Sequence, residues 1–450
     1  MRADVRLAFE LTRGSDRREW WRIALTATGA ALATGFALAT VALTSLRGSY
    51  DVSVGHGLLD EPGTRSGVIV ALLLLLVPVL GFLGQCARIG AVHRDRRLAG
   101  LRLAGATPWQ VRRIAALETG LTCLLGSALA TVLAVPLLLR LWGEPTALAW
   151  AGIAVVALGV PVLGAAAGAL ALRRVVASPL GWVRRARPRT GRGPGLLFLG
   201  AVLLLAVVAL AAVVTTSTYR NRPDGPWQAP MVVLGLVLAV GSGAVWLAGV
   251  TAGLTGRLLA VRARSAATLI AAERLRDDPW APARTHAAVL VVTVAGTGFV
   301  GVRQGLLGEL NGKDQLAADM SFYTTGLNLT AAAILVALAI TLSGLAVGTA
   351  ESLATRRRGL AAQAAAGVPQ PVLGRALLLE TALPLAPALL LAGVGGMAIG
   401  TPYAVLLGVS SVPWAALLVP LAVYAACLLA AATALPLLRR SVRPAELRYA

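Results

Sequence analysis

Few residues in this 450-residue chain are placed to do chemistry, and the clearest are two glutamates, Glu118 and Glu380. Each sits in a Leu-Glu-Thr triplet near the start of a long apolar run. A carboxylate there is costly unless it is paired or lies near a membrane interface. Two roles fit: an interfacial residue bonded to a neighbouring arginine, or a switch contact that passes movement into the apolar run. The other reactive side chains offer less. His56, His93 and His286 are scattered and form no zinc motif. Cys86, Cys123 and Cys427 lie inside apolar runs, with no disulfide or metal spacing. Lys313 is the one lysine, and its NGKD context lacks the Ser/Thr and the preceding strand of a phosphate-binding loop. No Ser/His/Asp arrangement can be drawn. The chain is therefore expected to be no enzyme and to bind no metal or cofactor itself. Any ATP must be hydrolysed on another subunit.

The glutamates belong to a longer duplication. Residues 94–119 read RDRRLAGLRLAGATPWQVRRIAALET, and residues 356–381 read RRRGLAAQAAAGVPQPVLGRALLLET. An offset of 262 lays Arg94 on Arg356, Arg96 on Arg358, Gly105 on Gly367, Arg113 on Arg375 and Glu118 on Glu380. A repeat at a fixed offset points to two equivalent halves.

The elements that position these stretches are membrane spans. The chain is 57% hydrophobic, with a mean hydropathy of +0.76, and its uncharged runs exceed the length that crosses a bilayer. Ten spans are expected, near 23–45, 67–88, 115–139, 149–172, 195–217, 229–254, 286–302, 327–349, 376–400 and 413–437. Backbone polar groups have no water partner in lipid, so each must be a helix. The fold class is all-α and polytopic. A first unit is expected over 1–185, two linking spans over 186–260 and a second unit over 261–450. The first apolar run reads as a retained helix rather than a removed signal peptide. Gly164/Gly168, Gly249/Gly253 and Gly396/Gly400 have the spacing of close helix approach.

A net charge of +21 raises the question of nucleic acid. The placement answers it. Of 41 Lys and Arg residues, 34 fall in connections that alternate spans assign to one face, and 7 on the other. These are topology signals, and they put both termini and both repeated stretches in the cytoplasm. The outer connections, the longest near 46–66 and 303–326, are too short for a domain with its own core.

Within the first copy, Leu98, Leu101, Val111, Ile114 and Leu117 recur at helical spacing among arginines. Gly105 suits the left-handed end of one helix. Thr107, Pro108 and Gln110 then form the capping box and first turn of the next. The second copy keeps Gly367 and Pro369 but lacks the threonine cap. One reading makes the arginines anchors beside anionic headgroups. The other makes each stretch a short cytoplasmic helix tied to a span, able to receive a push from a soluble partner.

An arginine-rich start, LAGLRLAGAT, QVRR and LE resemble the FtsX-like (MacB-type) permease family of ABC transporters, in its actinobacterial form with two fused units. The resemblance implies that the stretch before Gly105 is a coupling helix docking on an ATPase, with Gly367 marking its counterpart. On this reading the coupling residues are Arg94, Arg96, Leu101, Arg102, Gly105 and Ala106, with Arg356, Arg358 and Gly367 in the second copy. Glu118 and Glu380 are the possible switch contacts. The implied partners are a MacB-type ATPase in two copies, which carries the ATP and Mg, membrane lipids and a hydrophobic or amphipathic substrate. The implied location is the bacterial plasma membrane.

Two departures stand out. Arg97 and Gly359 occupy a position that is commonly acidic in the family, which implies a rewired or asymmetric ATPase contact. The large extracytoplasmic domain of many members is missing. The expected function is a permease subunit that exports a lipid, peptide or antibiotic. The alternative is an ATP-driven mechanotransmitter without transport. A scarcity of charge inside the spans disfavours a third class, ion-coupled transport.

Overall fold

A computed structural model describes residues 17–46, 48–49, 57–86, 100–142, 145–171, 228–312, 315, 319–406 and 413–441. Among them every regular element is helical. In chain order these are α1 (Arg17–Ser45), α2 (Pro62–Cys86), α3 (Pro108–Trp142), α4 (Ala147–Ala171), α5 (Gln228–Arg262), α6 (Ala266–Asp277), α7 (Trp280–Asn311), α8 (Met320–Thr355), α9 (Arg357–Ala365) and α10 (Gln370–Leu406). A 3-10 turn (Trp414–Leu417), α11 (Leu418–Ala432) and α12 (Leu435–Ser441) follow.

Nine helices among the described residues are long and apolar enough to cross a membrane. They match nine of the ten expected spans, and the tenth, near 195–217, lies outside the described residues. The observed helices overrun the apolar runs. The span expected over 286–302 extends from Trp280 to Asn311, so Arg303 and Glu309 are helical rather than part of an outer loop. The next helix starts at Met320, which leaves a far shorter connection than hydropathy suggested. A helix carries its hydrogen bonding past the edge of the apolar run wherever polar side chains can reach water. Hydropathy marks that edge and not the helix end.

Packing divides the chain into two compact units, Met1–Gly48 with Leu75–Arg189, and Ser49–Leu74 with Thr190–Ala450. In the first, α1, α3 and α4 pack on one another. Small residues set how close they come. A Cβ on Gly126 of α3 would stand 2.0 Å from the Ala27 carbonyl oxygen of α1. On Gly164 of α4 it would stand 2.5 Å from the Cys123 sulfur. The Ser127 hydroxyl of α3 donates to the Ala157 carbonyl of α4 at 2.9 Å, adding a polar tie across that seam.

The second unit is built around α7, which is buried among α5, α8, α10 and α11. The α7/α10 seam is a backbone contact. A Cβ on Gly396 would lie 2.6 Å from the Val294 carbonyl oxygen, and one on Gly400 would lie 2.7 Å from the Gly298 carbonyl oxygen. Gly249 is filled by the Trp280 ring, and Gly253 faces Pro279. All three small-residue pairs of the sequence thus have at least one member at a close helix approach, the geometry such pairs permit in lipid.

The halves keep their register. Helix α3 begins at Pro108 and α10 at Gln370, the same offset of 262 that relates the repeated stretches. In the second unit Arg65 is 3% exposed, and it donates to the carbonyls of Leu59 and Asp60 at 2.9 Å each. A buried cation is thereby satisfied by backbone oxygens in the turn before α2.

The seam can be tested directly. Gly396→Val forces a side chain into backbone and is expected to cost more than the ~1–3 kcal/mol typical of an overpacked core. Gly243→Ala, which meets open space, is expected to leave stability unchanged or raised. Thermal unfolding in detergent would compare them, and equal midpoints for both variants would contradict a backbone seam.

Candidate functional site

The repeated stretches form two helix-turn-helix joints of matching construction. In the first, residues 100–103 are helical and the chain then turns into α3. Gly105 has φ +99°, and its counterpart Gly367 has φ +90°. The Ala106 N–H donates to the Leu101 carbonyl at 2.9 Å, and the Gly105 N–H to that of Arg102 at 3.1 Å. In the second copy the Val368 N–H donates to Gln363 at 3.0 Å and the Gly367 N–H to Ala364 at 2.9 Å. This paired 6→1 and 5→2 bonding is the Schellman motif, which needs a residue at ease in the left-handed region. Only glycine enters that region without a steric cost from Cβ. The backbone thus fixes the angle between each short helix and its span.

Side chains reinforce the first joint and not the second. The Thr107 N–H donates to Gln110 Oε1 at 2.8 Å, and the Gln110 N–H to Thr107 Oγ1 at 3.3 Å. That is the expected capping box, and α3 starts at Pro108. Arg102 folds over the turn and donates from Nη1 to the Ala106 carbonyl at 2.9 Å. The matching residues 364, 369 and 372 are Ala, Pro and Val, and none of these side chains can donate or accept. The second joint is held instead by packing. Leu360 of α9 enters an apolar cluster with Leu353, Leu373, Leu377 and Leu438, and Val368 packs against it.

Behind each joint a glutamate closes an ion pair. Glu118 is 1% exposed and pairs with Arg22 of α1, which is itself largely buried. This pair ties α3 to α1. Glu380 is less buried and takes two arginines. Arg356, at the break between α8 and α9, donates from Nη1 at 2.7 and 2.9 Å. Arg274 of α6 donates at 3.1 Å. One carboxylate therefore holds the end of α8, the amphipathic helix α6 and the span α10 together. Burial at this level strips water from the carboxylate, and only a cation in contact offsets the loss.

Residues 68–180 match the family model described as FtsX-like permease C-terminal. This stretch is similar to an FtsX-like permease domain. It contains the first joint, its glutamate, α3 and α4. Permeases of this type are membrane subunits of ABC transporters, distinct from the ATPase with which they work. No curated protein and no solved structure matches the chain.

Around the FtsX-like domain the expected coupling residues divide as follows. Leu101, Arg102, Gly105 and Ala106 lie in the first joint, with Gly105 exposed at its tip. Arg94 and Arg96 lie outside the described residues. Arg356 is half-exposed and pairs with Glu380, while Arg358 is exposed on α9. Each glutamate is paired with arginine, an arrangement that fits either of its two expected roles. Arg22 and Arg274 were missed as their partners. The available signal was a basic residue at the same-side start of a neighbouring helix, and it is weak because arginines crowd that face. Leu103 and Trp109 were also passed over. They are 69% and 68% exposed and flank Gly105, where the second joint has the smaller Ala365 and Pro371.

The two carboxylates should differ in energetic weight. Glu118→Gln leaves Arg22 buried without its charge partner and is expected to destabilise by about 3–5 kcal/mol. Glu380→Gln is expected to cost well under half of that, because Glu380 is itself less buried and Arg356 reaches water. Replacing both Arg22 and Glu118 by Met is expected to restore most of the loss. Denaturant titrations of the three variants would decide, and equal losses for the two single variants would contradict the assignment.

Proposed function

We propose that the chain is the permease of a bacterial plasma-membrane ABC exporter, with both halves of the membrane domain in one polypeptide. Two copies of a separate MacB-type ATPase dock beneath it, and ATP and Mg are held there. The observation that carries this reading is the pair of glycine-centred joints, each fusing a short helical segment to a span, one of them inside the FtsX-like match. The positive-inside distribution supports a cytoplasmic position for both joints and both termini. There the short helices are coupling helices. Closure of the ATPases on ATP pushes on the joints. A Schellman turn does not bend freely, so the push passes into α3 and α10.

The two joints are read as unequal levers. The first presents Leu103 and Trp109, a large apolar tip of the kind that anchors an interface. The second has α9 seated in its own core and Arg356 pinned to Glu380. The first is proposed as the main contact with the ATPase. Cargo is proposed to be hydrophobic or amphipathic, a lipid, peptide or antibiotic, in keeping with spans whose charges cluster at their ends.

The test is ATP hydrolysis by the chain reconstituted with its ATPase. Gly105→Val strains the left-handed turn, and Gly105→Val with Arg94→Glu is expected to abolish most cargo-stimulated hydrolysis. Gly367→Val is expected to remove a smaller part. Full stimulation in the double variant would sink the coupling assignment. Vesicle uptake of a hydrophobic dye, absent while coupling persists, would turn the reading to a mechanotransmitter.

A further inference from the structure

A cavity of about 350 Å³ opens in the second unit between the start of α6 and the first turns of α10. Its walls are almost wholly apolar, with Ala267 on one side and Val372, Leu378 and Leu379 on the other. Arg375 of α10 stands at its rim as the one charged lining residue. Ser265 also lines it, but its hydroxyl already accepts the Thr268 N–H as the cap of α6. No carboxylate among the described residues pairs with Arg375. Two further exposed arginines, Arg262 and Arg264, precede Ser265 in the chain.

We propose that this cavity seats an anionic phospholipid of the surrounding bilayer. Its phosphate meets Arg375, and the first part of an acyl chain lies against Val372, Leu378 and Leu379. The chemistry selects this occupant. A free phosphate would need donors on several sides, and here one cation faces apolar walls. A soluble peptide would have to enter beside a helix that continues as a membrane span. A lipid brings an anion and an apolar chain in that order, and basic pockets between spans on the cytoplasmic side suit such headgroups. The lipid would wedge α6 against α10 beside the Arg274–Glu380 contact. The proposal rests on the bilayer topology given above and is independent of cargo and ATPase.

Native mass spectrometry of the full chain in neutral detergent tests it, with phosphatidylglycerol and phosphatidylcholine added in equal amounts. Wild type is expected to retain the anionic lipid about fivefold over the neutral one, the ratio for about 1 kcal/mol per arginine at an anionic surface. Arg375→Gln should remove the preference. Val372→Trp, which fills the cavity, should lower retention of both lipids. Arg439→Gln makes the same charge change on an exposed residue of α12 and should leave the preference intact. Equal retention of both lipids by wild type overturns the proposal. So does a preference that survives Arg375→Gln or falls equally in Arg439→Gln. Unchanged lipid retention in Val372→Trp, with a weakened ATPase complex, assigns the cavity to the ATPase and also overturns it. Loss of lipid preference with ATP coupling intact leaves the transport reading standing, so the two can fail separately.

Discussion

A carboxylate set at the mouth of an apolar helix keeps its charge only in the company of a cation. Much of the organisation around the two joints depends on how that demand is met. Glu118 meets it with Arg22, which brings the start of α1 against the start of α3. Glu380 meets it with Arg356 and Arg274, which gathers α6, the end of α8 and α10. Each joint therefore has a fixed base.

The glycine seams extend that stiffness along the spans. Lipid gives helices no hydrophobic reason to associate, so their contact rests on close packing and on hydrogen bonds across the seam. The approach of Gly396 and Gly400 to α7 and that of Gly126 to α1 leave no room for a methyl group. Ser127 adds a hydrogen bond where α3 meets α4. Within each unit, a displacement of α3 or α10 is shared by its neighbours rather than absorbed by side-chain rearrangement.

How far this could be read beforehand follows from what one-dimensional signals contain. Span existence was legible because backbone desolvation forces helix wherever a long apolar run lies. Gly105, Pro108 and the Thr107/Gln110 box were legible because caps depend on residues three or four positions apart. The pairings of Glu118 with Arg22 and of Glu380 with Arg274 were not, because they join helices far apart in sequence. Nothing along the chain states which same-side arginine is nearest. The extension of α7 to Asn311 was hidden for another reason: Arg303 and Glu309 are charged residues that sit within the helix without ending it. The repeat predicted that the two halves would share a backbone joint. It did not predict that one would be held by side-chain bonds and the other by a leucine core.

The two joints also separate the atoms that set the turn from those left exposed. Each turn is specified by backbone bonds and one glycine, and its angle survives the change of Arg102 to Ala364 and of Thr107 to Pro369 at matching positions. The exposed tips contribute nothing to that angle. After a duplication, one tip can therefore accumulate substitutions while the joint behind it keeps its geometry. The turn and the exposed tip are written in different atoms. The second copy carries Ala365 and Pro371 where the first has Leu103 and Trp109, on a turn with the same backbone bonds.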